Sequence, residues 1–152
     1  MSTSAVPTLS ECSALAEAVL GRARELGVRV SVSIADSAGH ELLTLRGDGA
    51  AWFTPGVARA KARTAAVMKK DTSALAEMDR RFPGLLPLIA EQLSFEPTVL
   101  AGGVVDPAAG PAAGPAAGPA WAVGVSGALP EQDEECARAA LARLPEPLPE
   151  PA

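Results

Sequence analysis

The chain has 152 residues, a formal net charge of −5 and 48% hydrophobic residues, with no Tyr. That length makes one domain with a real core. The negative charge argues against general nucleic-acid binding, which needs a basic face, and against attraction to anionic membranes.

Residues 1–8 read as a flexible tail. No basic segment followed by an apolar run opens the chain, so no signal peptide is expected and the cytoplasm is the default compartment. No stretch approaches the roughly 20 apolar residues of a membrane span. Thr8 and Glu11 have the spacing of a capping box, which starts a helix over about 9–26. Cys12, Leu15, Val19, Ala23 and Leu26 recur at helical spacing as its buried stripe, and Gly27 fits the left-handed stop.

A hairpin follows. Val28, Val30, Val32 and Ile34 alternate with Arg29, Ser31 and Ser33, the period of a half-buried strand. Asp36, Ser37, Ala38 and Gly39 supply turn chemistry. In the second strand Leu43 and Leu45 lie on one face and Leu42 and Thr44 on the other, so a covering element or partner subunit is expected on both. Thr54 is expected to cap a helix running to about residue 69, with Pro55 in its first turn. Val57, Ala60, Thr64, Val67 and Met68 share the predicted inner face. Arg59, Arg63 and Lys70 lie opposite, and Lys61 falls within about 40° of Val57 and Met68, at the stripe's edge.

Residues 71–78 predict a short helix capped by Thr72 or Ser73, and 80–88, with Pro83, Gly84 and Pro87, an irregular segment. Leu85, Leu86, Leu88, Ile89 and Leu93 could form an apolar flap. A third strand is expected over 98–105, with Gly102 and Gly103 inside it where a ligand or another backbone comes close. Three copies of Pro-Ala-Ala-Gly, then Pro119, read as an expanded hairpin loop over 107–119. Residues 121–126 form the fourth strand. The last helix opens at Pro130 with acids at its positive end and buries Cys136, Ala140 and Leu144. Residues 145–152 are a Pro-rich tail, leaving 9–144 as the domain. Cys12 and Cys136 read as small buried hydrophobes; with no CxxC or Cys/His cluster, no metal site is expected.

Six motifs recur in one order: Val32-x-Ile34-x-Asp36-x-x-Gly39; Arg46-x-Asp48-Gly49; Ala60-Lys61-Ala62-x-Thr64-Ala65; Gly102-Gly103-Val104; Gly124-Val125-Ser126-Gly127-Ala128; and Gln132-Asp133. Together they resemble the GlcG/HbpS family, the haem-degrading or haem-binding-domain family, which is similar to the C-terminal domain of PduO proteins. The resemblance implies an α/β, profilin-like sandwich, a largely antiparallel sheet of about five strands with helices on both faces; a fifth strand would lie near 93–96. It implies a homo-oligomer, from tetramer to octamer, and a haem or related tetrapyrrole ligand. Haem needs an axial donor. His40, the one His, reads as an exposed residue beside the turn, and the motif places no ligand there; Cys12, Met68 and Cys136 lie on helix stripes.

Arg46, Asp48, Lys61 and Asp133 are the polar residues that coincide with these motifs. Structurally they make an Arg–Asp pair at a turn, a snorkelling Lys and a helix-dipole acid. Functionally they make a pocket at the hairpin end. There Arg46 and Lys61 hold a ligand carboxylate beside backbone N–H groups of Gly102, Gly103, Ser126 and Gly127. Two other readings stay open. One is a small-molecule enzyme of specialised metabolism, in which Lys61 works with Asp48 or Asp133 as proton carrier. The other is an oligomeric accessory protein with no ligand.

Overall fold

The computed structural model describes residues 6–106 and 121–143. The first helix, α1, is Leu9–Leu26. Its start is closed from both sides: Glu11 N–H donates to Thr8 Oγ1 at 3.1 Å, and Thr8 N–H donates to Glu11 Oε1 at 2.9 Å. Gly27 ends it at φ 71°, in the left-handed region expected. Thr8→Ala removes one of these two bonds and is expected to cost about 1 kcal/mol in chemical denaturation.

Strands β1 (Ser31–Ala35), β2 (Glu41–Arg46), β3 (Gly103–Val105) and β4 (Ala122–Ser126) form an antiparallel sheet in the order β2-β1-β4-β3. The remaining helices are α2 (Thr54–Met68), α3 (Thr72–Arg81), α4 (Leu85–Ala90) and α5 (Pro130–Ala142). Each sheet face has its own grain. Val32 pairs with Leu45 and Val125, and Ile34 with Leu43 and Val123. These branched residues, with Val104, pack on α1 and α5 through Cys12, Leu15, Val19, Cys136 and Ala137. The opposite face carries Ser31, Ser33, Ala35, Ala122, Gly124 and Ser126. With no bulk in the way, α2 comes down to backbone contact there. A Cβ on Gly124 would stand 2.0 Å from Ala58 O and 2.6 Å from Ala62 N.

Several expectations change for that reason. The first strand is buried along its whole length, not on one face. Ser31 Oγ lies 2.8 Å from Thr54 Oγ1, and Ser33 Oγ lies 2.8 Å from Thr44 Oγ1, so each hydroxyl is paired inside. The inner face of α2 is Ala58, Lys61, Ala62 and Ala65, rotated from the Val57–Met68 stripe that hydropathy favours. Thr54 is not the cap: it is the first helical residue, and its hydroxyl donates to Ala51 O at 2.7 Å. Neither Thr72 nor Ser73 caps α3. Asp71 holds the cap position, while Thr72 Oγ1 accepts from Gly103 N–H at 2.9 Å and Ser73 Oγ bonds Glu134. Residues 85–90 are helical despite Pro87. The third strand begins only at Gly103, because Gly102 sits at φ 123°. Residues 93–96 form no strand, so the described sheet has four.

The Pro-Ala-Ala-Gly loop over 107–119, the tail over 145–152 and Leu144 lie outside the described residues, as do residues 1–5 of the N-terminal tail. Among the described residues no helix is long and apolar enough to cross a membrane.

Candidate functional site

The motif residues converge on one buried ion pair. Lys61 and Asp133 are 3% and 2% exposed. Lys61 Nζ donates to Asp133 Oδ2 at 3.1 Å and to Val125 O at 2.8 Å. Ala128 N–H donates to Asp133 Oδ1 at 3.0 Å, and Gly127 N–H also faces the carboxylate. Burial pushes the Asp133 carboxyl above its ordinary range, against the pull of Lys61 and these N–H groups. The lysine starts on α2, on one sheet face, and ends at the first turn of α5, on the other. Gly102 leaves it room: a Cβ there would stand 2.8 Å from Nζ and 2.6 Å from Val125 O. Gly103 does the same for the helix backbone, since its Cβ would stand 2.5 Å from Lys61 O. Ser126 is buried beside this end of the sheet, paired in register with Ser31.

Arg46 and Asp48 do not join this cluster. Both are exposed in the approach to α2, and Arg46 Nε donates to Ala50 O at 3.0 Å. The expected meeting of Arg46 with Lys61 at the hairpin end is therefore not formed; Lys61 points through the sheet layer instead.

A separate opening lies at the flank of α2, where the helix meets the sheet edge. It is a cavity of about 610 Å³ between the β1–β2 turn, α2 and residues 92–95. Binding pockets for small molecules run to roughly 300–1,000 Å³. Its lining includes His40, Glu41, Arg59, Arg63, Val67 and Phe95. Lys61 and Asp133 are not among its walls. Asp36 builds the turn: its Oδ1 accepts from Ala38 N–H at 3.0 Å and His40 N–H at 2.9 Å. Its Oδ2 then stands 3.5 Å from His40 Nδ1. A carboxylate beside Nδ1 leaves Nε2 as the nitrogen to offer a metal or polar partner. The imidazole is 80% exposed, so it is open to solvent.

Two cations line the same cavity. Arg59 donates to Glu41, which also accepts from Thr44 Oγ1 at 2.6 Å; Arg59 first and Thr44 second hold the Glu41 carboxyl below its usual range. Arg63 lays its guanidinium over the Phe95 ring at 4.7 Å. Two guanidiniums against one carboxylate leave the wall able to take an acid, and Val67, Leu93 and Phe95 supply apolar surface beside it. From the sequence, Arg59 and Arg63 lie on the solvent face of the helix and His40 is an exposed residue beside the turn; His40 is exposed, but neither reading joins the three in one cavity. The signal was a pair of spacings: Arg59 and Arg63 are one helical turn apart, and Asp36 and His40 span one tight turn.

A family model described as haem degrading protein HbpS-like matches residues 8–142. No curated protein matches the chain. Among solved structures, a double mutant of HbpS from Streptomyces reticuli is 32% identical, over 96% of this chain and 92% of that one, with a TM-score of 0.77. A PduOC–haem complex is 28% identical, over 90% and 94%, with a TM-score of 0.73. The Klebsiella pneumoniae protein ORFY is 28% identical, over 90% and 88%, with a TM-score of 0.75.

Proposed function

The chain belongs to the haem-degrading, HbpS-like family, and from that premise we propose that it binds haem or a closely related tetrapyrrole in the cavity beside His40. The carrying observation is the donor set: one imidazole with Nδ1 turned to Asp36, and Arg59 and Arg63, in the lining of one cavity of about 610 Å³. These residues fit the group. His40 Nε2 would be the nitrogen offered to the iron, Arg59 and Arg63 would hold the propionates, and Phe95, Val67 and Leu93 would supply apolar surface for the ring. A relative solved with haem supports the ligand class. Bound haem would supply iron chemistry; the chain supplies position, charge neutralisation and an open side for exchange.

On this reading Lys61 and Asp133 are structural. Every polar atom of the pair has a protein partner, and neither lines the cavity.

Titration of the purified protein with haemin tests the proposal. A saturable Soret band is expected at micromolar haemin. His40→Ala is expected to weaken binding at least tenfold and to change the band's position, while circular dichroism stays native because the imidazole is exposed. No saturable spectral change in the wild type would refute haem as the ligand. Unchanged binding by His40→Ala would remove His40 from the site.

A further inference from the structure

We propose that two copies of this chain pair through β2, antiparallel and two-fold, centred on Thr44. Among the described residues, in the sheet order β2-β1-β4-β3, β2 is an edge strand of six residues, while the other edge, β3, has three. Edge strands are commonly blunted by Lys or Pro; β2 has neither.

The hydrogen-bond parity of β2 is fixed by its neighbour. Gly47 N–H donates to Val30 O at 3.0 Å, continuing the register in which Arg46 faces Ser31 and Leu45 faces Val32. In an antiparallel ladder alternate residues turn both N–H and C=O to the same side. Leu43 and Leu45 therefore bond to β1, and Thr44 and Arg46 turn their backbone groups outward. A second copy centred on Thr44 exchanges both bonds with its own Thr44.

The side chains agree with that register. Leu43 and Leu45 share one face, since they pair with Ile34 and Val32. Centring on Thr44 sets each Leu43 opposite Leu45 of the partner subunit. A slip of one residue would set leucines against residues of the other face. The charges agree as well. The register shift between Ile34 and Ala35 leaves Leu42 as the extra residue and brings Glu41 onto the face of Thr44, where the two side chains bond. Arg46 lies on that face too, paired with Ser31. At each end of the ladder exposed Glu41 is then a neighbour of Arg46 of the partner subunit, opposite in sign. A short ladder alone is small for a stable interface. Trp52 and Phe53, 79% and 54% exposed and packed edge to face at 5.9 Å, are apolar surface a few residues beyond the Arg46 end of the strand.

Sedimentation of the full chain and thiol cross-linking test this contact without any ligand. The wild type is expected to sediment at micromolar concentration as a dimer or a multiple of one. Arg46→Glu, an exposed change, should raise the dissociation constant at least tenfold with native circular dichroism. Thr44→Cys should cross-link to a covalent dimer with a short bis-maleimide, since Cys12 and Cys136 are buried. A monomeric wild type overturns the proposal, and so does a folded Thr44→Cys chain that does not cross-link. If Thr44→Cys fails to fold, unchanged self-association of Arg46→Glu overturns it.

Discussion

Lys61→Met is expected to lower stability by about 3–5 kcal/mol, because it leaves the Asp133 carboxylate buried without its cation. In thermal unfolding that amounts to a fall of roughly 10 °C for a domain of this size. The loss has a pH signature. Burial already raises the Asp133 carboxyl above its ordinary value in the folded chain, and Lys61 restrains the rise. Removing Lys61 raises it further. An acid whose folded pKa lies above its unfolded one takes up protons on folding, so its contribution to stability falls as pH rises through that window. The penalty of Lys61→Met should therefore be largest at neutral pH and shrink as the solution is acidified and Asp133 protonates. Lys61→Met combined with Asp133→Leu removes both charges together and should recover part of the loss. Urea unfolding at pH 7 and pH 5 measures all of this; a pH-independent penalty would mean that Asp133 is not the source.

Gly124→Ala should be nearly as damaging through a different term. Its Cβ would stand 2.0 Å from Ala58 O and 2.6 Å from Ala62 N, and both are helix backbone that cannot swing aside as a side chain can. The helix must lift from the sheet, which overpacking data put at about 3 kcal/mol. Gly56 is the control. It lies in the same helix, has no atom within 4 Å of an added Cβ, and Gly56→Ala should be neutral or stabilise by roughly 0.5 kcal/mol. Equal effects of the two changes in denaturant midpoint would refute the close approach.

Gly124 also explains which parts of the fold were readable from the sequence. The capping box at Thr8, the stop at Gly27, the β1–β2 turn and the ordered motifs are local chemistry, and each appears where its residues predict. The sandwich of helices on an antiparallel sheet is what the family resemblance implies, and it is present. What hydropathy misplaced was the inner face of α2. It scores large apolar residues as buried, whereas a helix laid on Gly124 and Ser31 needs Ala58, Ala62 and Ala65 at the contact. Lys61 looked marginal for the same reason: charge pushes it outward in any one-dimensional score, and its partner Asp133 is 72 residues away. The cavity was hidden because its walls come from the β1–β2 turn, α2 and residues 92–95, which only the folded chain brings together.

The tight seat of α2 bears on how a ligand would be held. Arg59 and Arg63 stand on the flank of a helix whose inner side already touches the sheet backbone. That helix cannot recoil when an acid presses on its arginines. The wall is preorganised: little of the attraction is spent on rearranging the receptor, and backbone amide shifts on binding should stay confined to the β1–β2 turn and residues 92–95.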